Sequence, residues 1–267
     1  MKVCILGSGS KGNTSYFEIG NAKFLIDCGL SHRQITSRLK QRDLSLDELD
    51  GILITHEHSD HIAGLNVTLP KIDGKLYVTE ETHESFYHKY NSNIPISKVF
   101  YITPHEEFMV KDVRIFPLSV SHDASDAVGY VIYYNDQKIV YITDIGYLPQ
   151  KDYELLSNAN MYIFESNYDV HLLFTSNRPF YLKQRIDSVK GHMSNADTAY
   201  NLAQLVGNKT KHIILSHPSR ECNTKELALD TITEVFDEYG IDQSQFTIEV
   251  ASQDVPTKVY ELKEAKQ

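Results

Sequence analysis

Residues 51–61, GILITHEHSDH, decide how this chain is read. Gly51–Thr55 is a continuous apolar run of the kind that forms a strand buried on both faces. Directly behind it stand His56, Glu57, His58, Ser59, Asp60 and His61. Side chains alternate along extended backbone, so His56 and His58 project from the same side. Ser59 is then a candidate cap for a helix whose first turn holds Asp60 and His61. Imidazole and carboxylate groups converge at one strand end, which is the donor set of a divalent cation. The order is not the H-E-x-x-H zinc motif, because residue 60 is aspartate. Nor does the P-C-x-x-C partner of zinc deaminases accompany it. A solvated polar loop is the plain alternative, and three histidines in six residues behind an apolar strand argue against it.

Outward from this stretch, further histidines and aspartates fall where apolar strands end. His122 closes PLSVSH, Asp144 follows KIVYIT, and His217 follows HIILS. Open layered sheets place their sites at such carboxyl ends. Each residue alone reads as a turn residue, but beside the histidine cluster they read as ligands. Seven candidates, His56, His58, Asp60, His61, His122, Asp144 and His217, exceed one tetrahedral zinc and point to two ions sharing a carboxylate. ILITHEHSDH and HIILSHPS also echo one another, as a pseudo-duplicated sandwich would require.

The remaining pattern is strand-rich early and alternates strand with helix later. Strands are expected at Val3–Leu6, Thr14–Ile19, Lys23–Ile26, Lys75–Val78, Val99–Ile102, Phe108–Phe116, Val128–Tyr134, Lys138–Ile142, Met161–Glu165, His212–Ser216, Phe246–Val250 and Lys258–Leu262. Helices are expected at 31–42, about 80–90, Ser194–Val206 and Thr224–Tyr239, the last stopped by Gly240. No linker-like stretch interrupts the 267 residues, so 1–267 reads as a single domain. A 41% hydrophobic content supports a sizeable core, and no apolar run approaches a membrane span. The opening MKVCILGSGSKGN lacks the long apolar core of a secretion signal, and three cysteines without a CxxC pair suit a reduced, cytoplasmic setting. A net charge of −10 excludes binding by bulk positive charge but not a local basic groove. Residues 176–192 supply such a patch: Arg178, Lys183, Arg185 and Lys190 against Asp187, with Phe180 and Tyr181 interleaved. Arg178, Lys183 and Arg185 are candidate phosphate contacts and the aromatics candidate stacking surfaces. The basic helix 31–42 is a weaker second candidate.

The order Asp27, HxHxDH at 56–61, His122, Asp144 and His217 closely resembles the metallo-β-lactamase superfamily and spans most of the chain. That resemblance implies an α+β four-layer αββα sandwich with a binuclear site between the sheets. It assigns His56, His58 and His122 to one metal, Asp60, His61 and His217 to the other, and Asp144 to both. Asp27 in LIDCG would orient ligands from behind. Within the superfamily, ILGSGSKGNTSY (5–16), ESNYD (165–169), KGHMSN (190–195) and SHPSRECNTKE (216–226) look like the YycJ/WalJ group, regarded as cytoplasmic 5′-to-3′ DNA exonucleases. GHMSN also resembles the histidine motif of ribonuclease Z relatives, while the long insertion of larger nucleases has no room here.

The resemblance therefore implies a metal-dependent nuclease that attacks phosphodiesters with a metal-bridged hydroxide. Asp60 would also orient the hydroxide, His192 would protonate the departing sugar oxygen, and Glu165 would hold the His192 imidazole. The ions would be Zn²⁺ or Mn²⁺, with Fe²⁺ also accepted by such ligands. The partner would be nucleic acid, DNA first, with no membrane, and no feature sets an oligomeric state. Ser10 and Asn13 in GSGSKGN are further candidate substrate contacts, through a loop able to present N–H groups to phosphate, which a tight β-turn explains nearly as well. His83, His88, His105, His171 and His212 match no motif position. A hydrolase of small esters, thioesters or lactones would use the same metal core. A non-catalytic regulator stabilised by metal would be expected to lose ligands, and none of the seven is missing.

Overall fold

The computed structural model describes residues 1–90 and 94–262, without the side chains of 88–90, so His88 lies outside the described residues. Chain order maps almost directly onto two sheets. β1 (Lys2–Gly7), β2 (Thr14–Ile19), β3 (Ala22–Ile26), β4 (Gly51–Leu53), β5 (Lys75–Val78) and β6 (Val99–Tyr101) lie side by side in sequence order. β7 (Phe108–Val110), β8 (Val113–Ser119), β9 (Val128–Tyr134), β10 (Gln137–Ile142), β11 (Met161–Glu165), β12 (His212–Ser216) and β13 (Thr247–Val250) do the same in the second sheet. β14 (Tyr260–Glu261) returns to pair antiparallel with β1. Each sheet begins as antiparallel hairpins and continues parallel, from β3 onward in the first and from β10 onward in the second.

Alternation along the strands builds the layers. Phe17, Phe24 and Ile26 meet Tyr130, Ile132, Ile139, Tyr141 and Ile163 in the central core between the sheets. On the outer face of the first sheet, Tyr16 and Leu25 pack on Ile35 and Leu39 of α1 (His32–Lys40), and on residues of α2 (Ser59–Ile62), α3 (Leu65–Thr68) and α4 (Glu80–Tyr90). On the outer face of the second, Val140, Tyr162 and Phe164 pack on α5 (Tyr153–Leu156), α8 (Asn195–Leu205) and α9 (Lys225–Glu238). The architecture is a four-layer αββα sandwich. Between them in sequence, α6 (Val170–Thr175) and α7 (Phe180–Ile186) enclose a small separate cluster of Tyr168, Leu173, Ile186 and Cys222.

Local chemistry sets the boundaries. Ser31 and Gln34 cap α1 reciprocally, and Ser194 and Thr224 each accept a backbone N–H at the start of α8 and α9. Gly240 lies at φ +66°, ending α9 as its position suggested. Several expectations need correction. The run 108–116 is two strands, because Lys111 turns at φ +51° and the alternation carries across the hairpin. The expected last strand, 258–262, reduces to Tyr260–Glu261. Ser59 does not cap α2: His58 occupies the cap position, without a side-chain hydrogen bond. Arg38 and Arg42 of the basic helix region donate to the carbonyls of Leu6, Gln253, Pro256 and Thr257, so these two cations tie the helix to the sheet edge. Among the described residues no helix is long and apolar enough to cross a membrane.

Candidate metal centre

The seven candidate ligands converge at one mouth of the sandwich, from both sheets. His56, His58, Asp60 and His61 follow β4, His122 follows β8, Asp144 follows β10 and His217 follows β12. Asp27, Asp144 and His217 all have left-handed backbone, at φ +60°, +55° and +54°. Non-glycine residues rarely adopt this conformation, and its strain is characteristic of residues held for function. It turns the chain sharply as it leaves β3, β10 and β12. Gly29 brings the opposite walls together, because a Cβ there would lie 1.7 Å from the Asp60 carbonyl oxygen.

Two triads form. Ligand atoms of His56, His58 and His122 lie within 4.8 Å of one another, as do those of Asp60, His61 and His217. His122 Nε2 is 3.3 Å from His58 Nδ1, and Asp60 Oδ2 is 3.4 Å from His217 Nε2 and 3.6 Å from His61 Nε2. Asp144 lies between the triads, Oδ2 being 3.1 Å from His61 Nε2 and Oδ1 3.9 Å from His122 Nε2.

Polar groups behind the cluster hold the rings of His56, His61, His122 and His217. Asp27 Oδ2 is 2.8 Å from His61 Nδ1, while its carboxylate accepts the Thr55 N–H and hydroxyl. Thr55 Oγ1 lies 3.0 Å from His56 Nδ1, the Gly191 carbonyl 3.0 Å from His122 Nδ1, and Glu165 Oε1 3.2 Å from His217 Nδ1. In four histidines Nδ1 is thus engaged outward and Nε2 is turned to the centre, the arrangement metal-binding imidazoles require. His56 Nε2 is buried without a hydrogen-bond partner among the described residues, and Asp144 Oδ2, also buried, has the His61 ring nitrogen at 3.1 Å without hydrogen-bond geometry. Buried polar atoms are rarely left so, and two such atoms facing His/Asp triads fit a divalent ion.

Electrostatics divide the cluster: burial lowers His56 and His122, whereas at His61 and His217 the neighbouring carboxylates outweigh burial and raise the imidazoles. Burial alone would raise the Asp144 carboxyl, but His217 and His61 outweigh it and hold it well below the usual range. Burial likewise opposes the shift at Asp60, where His61 and His217 bring the carboxyl down to about 2. At His56 burial and the neighbouring His61 push the imidazole well below its usual value, favouring the neutral form that binds metal.

Glu165 is fully buried, and Oε1 lies 2.7 Å from His192 Nδ1 while Oε2 accepts N–H groups of Ile145 and Met193. Despite burial, His192 keeps it below the ordinary carboxylate range, and it in turn raises His192. His192 enters the site through Gly191, where a Cβ would meet the carbonyls of Arg185 and Ile186 at 2.2 Å. Glycine alone lets the chain fold back under α7.

A cavity of about 200 Å³ opens over the cluster and is lined by Ser10, His192, Arg178 and Arg185 together with His58, Asp60, His122, Asp144 and His217; His56 and His61 lie beneath it. Two expected substrate contacts are elsewhere. Asn13 is buried, its amide donating to Gly9 O and Asp60 Oδ2 and standing 3.0 Å from His61 Nε2, so it lies against the centre-facing atoms of two candidate ligands and does not line the cavity. Lys183 is also buried, its ammonium donating to Phe174 O and Ser176 O at 2.7 Å, where it ties down the end of α6. Arg178 pairs with Glu221 and Arg185 with Asp123, so the local positive patch is partly neutralised. Phe180 and Tyr181 are exposed but do not line this cavity. Of the unmatched histidines, His83 bonds Tyr101 and His212 bonds Thr247.

Three residues escaped the sequence reading. Asp123 Oδ1 lies 3.4 Å from His122 Nε2 and 4.0 Å from His58 Nε2, and adjacency to His122 was its only signal. Ser8 accepts the His217 N–H, and Asn167 donates to the His217 carbonyl. Both sit in the GSGSKGN and ESNYD segments, whose spacing alone assigns them no role.

A model of the beta-lactamase superfamily domain matches residues 22–217. The chain is 37% identical over 256 residues to exodeoxyribonuclease YycJ of Bacillus anthracis, covering 96% of this chain and 97% of that one. It is 40% identical over 228 residues to exodeoxyribonuclease WalJ of Streptococcus pneumoniae, covering 85% of each. Among solved structures, the metallo-beta-lactamase fold protein YhfI of Bacillus subtilis superposes with a TM-score of 0.69 at 16% identity, over 96% of this chain and 98% of that one. Zn²⁺-bound PqqB of Methylobacterium extorquens gives 0.68 at 14% identity, over 97% and 100%. These two likenesses establish the fold alone.

Proposed function

Because this chain belongs to the beta-lactamase superfamily and, within it, to the group of the YycJ and WalJ exodeoxyribonucleases, we propose that it is a metal-dependent nuclease degrading DNA from the 5′ end. Residues 1–267 act as one domain, since both halves contribute ligands. His56, His58 and His122 would hold one divalent ion, Asp60, His61 and His217 a second, with Asp144 between them. When bound, such a pair lowers the pKa of water toward neutrality and offsets charge on phosphoryl oxygens.

The chain's own residues do the rest. Asp60, partly open to the cavity, orients the attacking water. With Glu165 ionised, His192 Nδ1 carries the proton they share, and Nε2 is the nitrogen that delivers a proton to the leaving sugar oxygen. Arg178 and Arg185 attract the phosphate backbone once they exchange carboxylate partners for phosphate. Asp27, Thr55, Asn13 and Ser8 fix ligand orientation.

The observation that carries this reading is the Glu165–His192 pair, set 2.7 Å apart at the wall of the cavity that the ligands line. A proton donor suits a poor alkoxide leaving group, and guanidinium groups at the rim suit a phosphodiester rather than a neutral ester. The test is a substrate panel with Zn²⁺ or Mn²⁺: single-stranded and duplex DNA, RNA, nitrocefin and a glutathione thioester. DNA hydrolysis that stops on chelation is expected. Turnover of the thioester or nitrocefin with no nucleic acid cut under either metal would overturn the reading.

A further inference from the structure

The segment that delivers His192 has a second side. A cavity of about 490 Å³ opens next to the metal centre, and His192 lines both. Its chemistry differs from the first. The metal-side cavity carries Arg178 and Arg185, whereas no lysine or arginine lines the second, which instead contains Asp187 and Asp197. Four tyrosines, Tyr147, Tyr153, Tyr168 and Tyr200, contribute to its wall. Tyr147 and Tyr200 are 52% and 43% exposed, the Tyr200 ring meeting Tyr239 edge-on. The others are fixed by their hydroxyls: Tyr153 donates to Asn201 Oδ1 at 2.5 Å and Tyr168 to Asp187 Oδ1 at 2.6 Å. The cavity rim is also pinned, since the Ser121 hydroxyl donates to Val189 O and the Gly146 N–H to Ser121 O.

We infer that this cavity is a nucleobase subsite, holding the base of the nucleotide that carries the leaving oxygen. Two carboxylates and no cation disfavour a phosphate there, while exposed tyrosine rings favour a flat uncharged ring. Position selects which ring. If His192 protonates the leaving oxygen, the nucleoside attached to that oxygen lies on the His192 side, away from the arginines that face the rest of the strand. For cleavage that leaves a 5′-phosphate on the remaining strand, this is the 5′-terminal nucleoside. The inference rests on the nuclease reading, and it adds that the base is gripped by stacking, so that all four bases are accepted while a missing base is not.

The experiment uses the full chain with Mn²⁺ and three single-stranded oligonucleotides that differ only at the 5′-terminal residue: adenine, 2-aminopurine or an abasic sugar. Wild type is expected to quench 2-aminopurine on binding and to lose about 5- to 100-fold in kcat/KM on the abasic end. Tyr147→Ala, at an exposed position, should lose the quenching and fall by a similar factor on adenine, with little further loss on the abasic end. Tyr147→Phe should keep both properties. Equal kcat/KM for adenine and abasic ends in the wild type, or quenching unchanged in Tyr147→Ala and Tyr200→Ala, would overturn the subsite. Quenching that is lost in Tyr147→Ala without strand cleavage by any form would support the subsite and contradict the nuclease reading instead.

Discussion

His192 and His217 share one carboxylate, Glu165, whose Oε1 lies 2.7 Å from the first ring and 3.2 Å from the second. Their assigned roles differ, so substitutions separate them. His192→Ala should retain bound metal while kcat falls about 100-fold or more, measured by elemental analysis beside initial rates. Glu165→Gln should lose rate and also weaken metal binding, because His217 loses its carboxylate neighbour and keeps only the Asn167 amide at Nδ1. Asp27→Ala should leave the rate of fully loaded enzyme less affected but weaken metal binding by about 10- to 100-fold, read from a competition titration with a chelator. The two basic residues of α7 separate as well. Lys183→Met should lower stability by about 1.5–3 kcal/mol, since charged hydrogen bonds to two carbonyls are lost, with no change in the salt dependence of DNA binding. Arg185→Ala should leave melting unchanged and reduce the salt slope of DNA binding by about one.

At the scale of elements, the legible parts of the sequence are those whose burial is decided locally. β2, β5, β9, β11 and β12 have the ends expected from their apolar runs, because each is bounded by turn residues and buried on both faces. α1, α8 and α9 were legible from their caps. α6 and α7 were not, being short and stabilised by the cluster of Leu173, Ile186 and Tyr168 rather than by periodicity. For that reason residues 176–192 read as a charge run, and Lys183 looked like a phosphate contact until folding turned it inward. The positive φ of Asp144 and His217 is equally invisible in a sequence, since it is imposed by the walls around the site. Gly191 is the element-scale test. Gly191→Ala should force the end of α7 away from the loop, cutting activity through misplacement of His192 while the sheets, probed by far-ultraviolet circular dichroism, persist.

For the whole molecule, a net charge of −10 and the proposed DNA substrate are reconciled by where charge resides. Arg178 and Arg185 stand at the cavity, and bound divalent cations would add positive charge beneath them. Binding should be focused there and weaken steeply with salt. The proposed ligands, at the ends of β4, β8, β10 and β12, come from both sheets, so bound metal would link the sheets and couple to folding. Chelated protein should melt at a lower temperature than loaded protein, and the difference should grow with free metal concentration. That two ions work a nuclease starting at the 5′ end is tested by titrating chelated protein with Mn²⁺ or Zn²⁺ while following release of label from 5′-end-labelled DNA. Labelled mononucleotide should appear from the first time point, and the rate should plateau at two metal equivalents per chain. A plateau at one equivalent, release of label only in longer fragments, or no release with either metal would contradict it.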